Sequence, residues 1–199
     1  MFISALTDAV VQVILFSIIP LIWWLVTARK KENFFHWLGF HKFRTENRRR
    51  YLIWFLGILA GSFVVGEFAI LLRGDLAIAD SAYKGLGLAA VPSILMFSYI
   101  QTALSEEIFF RGFLLKRMAK PFGFRAANII HASIFAVIHL LEFWGQTSFI
   151  AGAVIVIYPF VVALLLGYLN EKESDGSIYP SWLIHGTLNT VEHILQAMI

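Results

Sequence analysis

The apolar residues of this chain neither alternate nor form narrow helical stripes. They gather into six long runs, at about 9–27, 51–72, 88–115, 126–143, 149–169 and 178–198. A helix needs roughly 20 apolar residues to cross a hydrocarbon core, and most of these runs meet or approach that length. The pattern predicts an all-α membrane protein: a bundle of about six transmembrane helices around an intramembrane polar cavity, forming a single transmembrane domain over 1–199. The third run is long for one crossing.

Polar residues between the runs orient the bundle. Arg29, Lys30, Lys31, Lys42, Arg44, Arg48, Arg49 and Arg50 stand between the first two runs and make up half of the 16 basic residues. The positive-inside rule places this 28–50 segment in the cytoplasm. Its aromatic residues Phe34, Phe35, Trp37, Phe40 and Phe43 suit a segment lying on the cytoplasmic leaflet, with a solvated loop as the alternative. The loops around Lys116, Arg117, Lys120 and Arg125 and at 170–177 then fall inside. The loops at 73–84 and 144–147, and both termini, fall outside. The first run lacks a basic leader and a small-residue cleavage site, so it reads as a retained first helix of a multi-pass cell-membrane protein. Pro121 with Gly123 marks a turn, Gly176 another, and Pro159 a kink in the fifth run.

Composition narrows the chemistry. The 199 residues are 59% hydrophobic and 15% charged, against about 45–50% and about 25% in a soluble domain. There is no cysteine, which excludes disulfides, thiolate catalysis and cysteine-bound zinc. The net charge of +3 comes from basic residues clustered beside apolar runs, a distribution suited to membrane lipids as partners and not to nucleic acid.

A charge near a bilayer centre costs roughly 2.5–3.5 kcal/mol on insertion scales and so calls for a partner or a function. Glu106, Glu107 and Arg111 form the first such group. On an α-helix Glu107 and Arg111 are four residues apart and pair on one face, while Glu106 turns onto the next and stays available as a general base. A solvated salt bridge at a helix start is the bland alternative. His139, one turn after Phe135, is the second group, equally readable as a hydrogen-bonded packing residue. His185 and Asn189, again four apart, form the third; they suit an oxyanion site or polar glue between helices. His131, Glu192 and His193 are weaker and are taken as structural or accessory.

A carboxylate, a histidine and a His/Asn pair suffice to hydrolyse an amide with activated water. No H-E-x-x-H zinc signature and no G-x-S-x-G elbow occurs. A zinc site made from Glu106, His139 and His185 stays open. Proton-coupled transport would call for two corresponding halves, and no internal repeat is visible.

These motifs, EExxxR at Glu106, Glu107 and Arg111, FxxxH at Phe135 and His139, and HxxxN at His185 and Asn189, stand in order on separate predicted helices. In this the chain resembles the CAAX-processing and bacteriocin-immunity (CPBP, or Abi) membrane proteases. The run GSIYPSWLIH at 176–185 resembles the family's approach to its last motif. The resemblance covers 88–195. It implies an intramembrane glutamate endopeptidase related to the type II CAAX prenyl proteases, with Glu106 as base, His139 as its helper and His185 with Asn189 as the oxyanion site. Glu107, Arg111 and Phe135 would be accessory, no metal or cofactor would take part, and the substrate would be a peptide or a membrane protein. The family also holds non-catalytic scaffolds and immunity proteins, which act through a protein partner in the membrane; that alternative function stays beside the enzymatic one.

Overall fold

The computed structural model describes residues 2–73, 82–142 and 148–199. Among them every regular element is helical and there is no strand. The loops expected to be external, at 73–84 and 144–147, fall mostly or wholly outside the described residues.

Helix α1 (Phe2–Thr27) is strongly apolar, with Asp8 its one charged residue, as suits a lipid-facing helix. Its outer face exposes Ile14, Ile18 and Ile22, whereas Ala5 and Ala9 are buried. These small side chains allow a close approach to the Met96–Leu104 stretch. Helix α1 begins seven residues before its apolar run. Helix α2 (Phe34–Leu38) is opened by Asn33, whose side chain accepts from the Phe35 amide, and closed by Gly39. Helix α3 (Arg48–Arg73) is likewise capped by Asn47, which accepts from the Arg50 amide at 3.0 Å.

The third and fourth apolar runs form one helical path, Gly87–Glu142, 56 residues long. It starts with a 3₁₀ turn (Gly87–Ala90) and α4 (Val91–Leu95), and continues as two π-helical stretches, Met96–Leu104 and Glu107–Leu115, before α5 (Lys116–Glu142). A π turn closes its hydrogen bond one residue later than an α turn and so takes up more chain per turn. This accounts for the unusual length of the third run. The Thr102 hydroxyl lies 3.1 Å from the carbonyls of both Phe97 and Ser98, and Ser105 donates back to Gln101. Such back-bonding loosens the α pattern here. Gly123, at φ 75°, breaks the path inside α5, where the sequence predicts a turn.

Helix α6 (Phe149–Tyr168) runs into a short π turn, Leu169–Glu173, and α7 (Tyr179–Met198) closes the bundle. Among the described residues, four helical runs are long and apolar enough to cross a membrane: Phe2–Thr27, Arg48–Ala69, Gly87–Glu142 and Phe149–Glu173. Helix α7 has 20 residues but carries a polar inner face. The protein is an all-α membrane bundle.

The basic segment divides its aromatic residues. Trp37 and Leu38 are buried against Ile108 and Phe113, with the Arg117 guanidinium 3.8 Å above the Trp37 ring, while Phe35 is 62% exposed. That segment and Lys116 of α5 together grip the approach to α7. Lys116 Nζ donates to Glu171 at 2.7 Å and to the Gly176 carbonyl at 2.6 Å, Ser177 Oγ donates to the His41 carbonyl at 2.7 Å, and the Ile178 amide donates to the Gly39 carbonyl at 3.1 Å. Gly39 has φ 98°, and a Cβ there would stand 2.6 Å from the Gly176 carbonyl oxygen. A Gly39→Ala variant is therefore expected to lose about 1–3 kcal/mol of stability, read from its unfolding in detergent micelles.

Candidate active site

Glu107 begins the second π stretch and is fully buried; Arg111, four residues on, is 1% exposed. A charged pair this deep persists only when each partner is held by the other and by further polar groups. Arg111 Nη1 lies 3.1 Å from Glu107 Oε1, and its guanidinium stands 4.7 Å over the centre of the Phe135 ring. Phe135 in turn meets Phe110 edge-on at 4.9 Å and lies 4.4 Å from the His139 ring. The phenyl ring thus contacts both Arg111 and His139.

Helix α7 brings His185 to the same carboxylates. His185 Nδ1 is 3.1 Å from Glu107 Oε1, and Nε2 is 3.7 Å from Glu106 Oε2. Because Glu107 also faces Arg111 and accepts from Ser181, it serves as an acceptor, and Nδ1 of His185 carries the proton. The reactive end of the imidazole is then Nε2, facing Glu106. His139 is oriented in the same way: its Nδ1 donates to the Phe135 carbonyl at 2.9 Å, leaving Nε2 as a lone-pair acceptor. Glu106 Oε2 is buried and takes no hydrogen bond within the described protein. Asn189 donates one amide hydrogen to Thr102 Oγ1 at 2.9 Å and keeps the second.

A cavity of about 180 Å³ opens beside these groups, lined by Arg111, Phe135, His139, His185 and Asn189. Two further acids line it, Glu67 from α3 and Glu192 from α7, together with Ser62 and Tyr158. Glu192 thus belongs to the cavity wall. His193, 5% exposed, packs at a tilt against Phe97 at 4.9 Å and Tyr83 at 5.7 Å, and His131 is fully buried on α5; neither lines the cavity.

Two features differ from the helical reading of the sequence. Glu106 and Glu107 do not face separate surroundings, because His185 packs against both. His185 and Asn189 are not two uncommitted donors, since Glu107 engages one and Thr102 the other. The possible zinc set of Glu106, His139 and His185 does not assemble: among the described residues no three His, Asp or Glu side chains form a metal-ligand cluster.

Sequence reasoning missed Ser181, Asn170 and Glu67. Ser181 stands one turn before His185, so Ser181, His185 and Asn189 follow one another at i, i+4 and i+8 along one face of α7. Glu67 carried the signal that singled out Glu106, a carboxylate inside an apolar run.

A helical membrane bundle in which paired carboxylates meet a histidine that lines a cavity has the equipment of a membrane-embedded hydrolase. Residues 88–191 match the family described as type II CAAX prenyl endopeptidase Rce1-like, and the chain belongs to that family of intramembrane proteases. The match spans Glu106, Glu107, Arg111, Phe135, His139, His185 and Asn189, and leaves out Glu67 and Glu192. No curated protein and no solved structure matches the chain.

Proposed function

We propose that this protein is a glutamate-dependent endopeptidase that cleaves a peptide or membrane-protein substrate inside the bilayer. The observation that carries this reading is the junction of α7 with the π-helical stretch, where His185 stands between Glu106 and Glu107 beside a cavity shared with His139 and Asn189.

Glu106, the carboxylate with an uncommitted oxygen, removes a proton from water as the water oxygen attacks the scissile carbonyl. His139, its Nε2 free as an acceptor, holds that water. The carbonyl oxygen becomes an oxyanion and accepts from the second amide hydrogen of Asn189 and from His185. With Nδ1 donating to Glu107, His185 offers an Nε2–H as the imidazolium, with Glu107 as its counter-ion. Collapse of the tetrahedral intermediate breaks the C–N bond, and Glu106 hands its proton to the departing amine. Protons balance without a metal or cofactor.

The chain acts as one transmembrane domain, a multi-pass protein of the cell membrane, with residues 28–50 on the cytoplasmic leaflet and peptide access from that side. Removing an oxyanion donor costs about 10²–10³ in turnover. In proteoliposomes given a synthetic peptide library, Asn189→Ala is expected to reduce product formation by that factor, with products counted by mass spectrometry. Equal product from Asn189→Ala and wild type would refute the oxyanion assignment.

A further inference from the structure

Glu107 is oriented by more than Arg111. Its Oε1 faces Arg111 Nη1 and His185 Nδ1, both at 3.1 Å, and its Oε2 accepts from Ser181 Oγ at 2.5 Å. Ser181 Oγ in turn accepts from Asn170 Nδ2 at 2.6 Å, and the Ser181 amide donates to Asn170 Oδ1 at 3.3 Å. Glu107, Ser181 and Asn170 are all 0% exposed. The Ile178 carbonyl also lies 3.0 Å from Ser181 Oγ. A hydroxyl has one proton, and the shorter contact to a charged acceptor is the stronger. With Asn170 supplying the hydrogen bond that Ser181 accepts, the Ser181 proton goes to Glu107.

We propose that Asn170 and Ser181 are positioning residues for the catalytic centre. They form a two-step relay that fixes the Glu107 carboxylate so that Oε1 meets His185 Nδ1 and Nε2 of His185 is left facing Glu106. Both are fully buried and reach the centre only through Glu107. The relay begins at the π turn Leu169–Glu173, where Asn170 is followed by Glu171, paired with Lys116, and by Glu173, paired with Arg50 at 2.9 Å. Those two ion pairs tie the turn that carries Asn170 to α5 and α3. A serine placed one turn before His185 thereby acquires a task that its helical position alone does not supply. The consequence for rate rests on the protease reading, whereas the orientation of His185 does not.

The test is the ¹⁵N–¹H spectrum of histidine-labelled protein in detergent micelles, with His185 assigned from the signal lost in His185→Gln. Wild type is expected to show a hydrogen-bonded, slowly exchanging Nδ1–H on His185. Ser181→Ala and Asn170→Ala are each expected to lose that signal, and Ser181→Thr, which keeps the hydroxyl, to retain it. Asn170→Ala cuts the relay from its far end and serves if Ser181→Ala does not fold. An unchanged His185 signal in the alanine variants would overturn the relay. Absence of proteolysis in wild type, with the signals behaving as expected, would refute the protease reading and leave the relay standing.

Discussion

Replacing Glu106 by glutamine is expected to slow peptide cleavage by about 10²–10⁴-fold, the range that general acid–base groups contribute. Fold stability should stay close to wild type. Glutamine has nearly the shape of glutamate but cannot take a proton from water. Glu106 Oε2 accepts no hydrogen bond within the described protein, and its ion-pair contact is His185 Nε2 at 3.7 Å. Little of the bundle therefore depends on its charge. Rate measured in proteoliposomes beside unfolding in micelles separates the two quantities. A Glu106→Gln variant that lost rate and stability together would mean that this carboxylate is structural.

The opposite result is expected one residue on. Glu107→Ala removes the counter-charge of an arginine that is 1% exposed. Breaking a buried pair from one side costs about 3–5 kcal/mol, because the remaining charge stays buried without compensation. What is left to Arg111 is the face of Phe135 at 4.7 Å, a weaker attraction than a carboxylate. In the same step His185 loses its Nδ1 acceptor and Ser181 the stronger of its two. Unfolding in micelles should show the loss directly, and a change no larger than an exposed pair gives, about 0–1 kcal/mol, would contradict the description of this pair.

How much of this was legible in the sequence differs from one residue to the next. The membrane class follows from uniform apolarity, which needs no tertiary information, and the break at Gly123 follows from its neighbourhood with Pro121. The pairing of Glu107 with Arg111 follows from a four-residue spacing, and the contact holds even though the backbone there is π-helical. The meeting of His185 with both glutamates did not follow. It depends on how α7 packs against a widened helix, and an α-helical projection assigns Glu106 and Glu107 to different faces.

Ser181 illustrates a second kind of silence. A serine or threonine within a helix often bonds back to its own chain, as Ser133, Thr187 and Thr190 do here to carbonyls four residues earlier. Nothing local distinguishes Ser181 from these, and only its burial against Glu107 does. Asn170 lies at the edge of a stretch that reads as a loop, and its side chain gains meaning from a partner 11 residues away. Glu67 has no basic residue within four positions to draw attention to it, and its place on the cavity wall comes from the packing of α3 against α6.

The basic segment was partly legible. Its charges are evident, whereas the inward turn of Trp37 and Leu38 arises from Ile108 and Phe113, which lie far along the chain. Gly39, Phe40 and His41, which follow the buried Trp37, hold the segment against the start of α7, which carries Ser181 and His185. Distant sequence segments therefore set the geometry that the short motifs only suggest.

Peptide hydrolysis inside the membrane by Glu106 is tested by comparing the membrane peptidomes of cells carrying wild type and cells carrying Glu106→Gln at equal protein levels. A defined set of cleavage products is expected with wild type and missing with Glu106→Gln, with the uncut precursors accumulating in their place. Identical peptidomes from the two strains would contradict it.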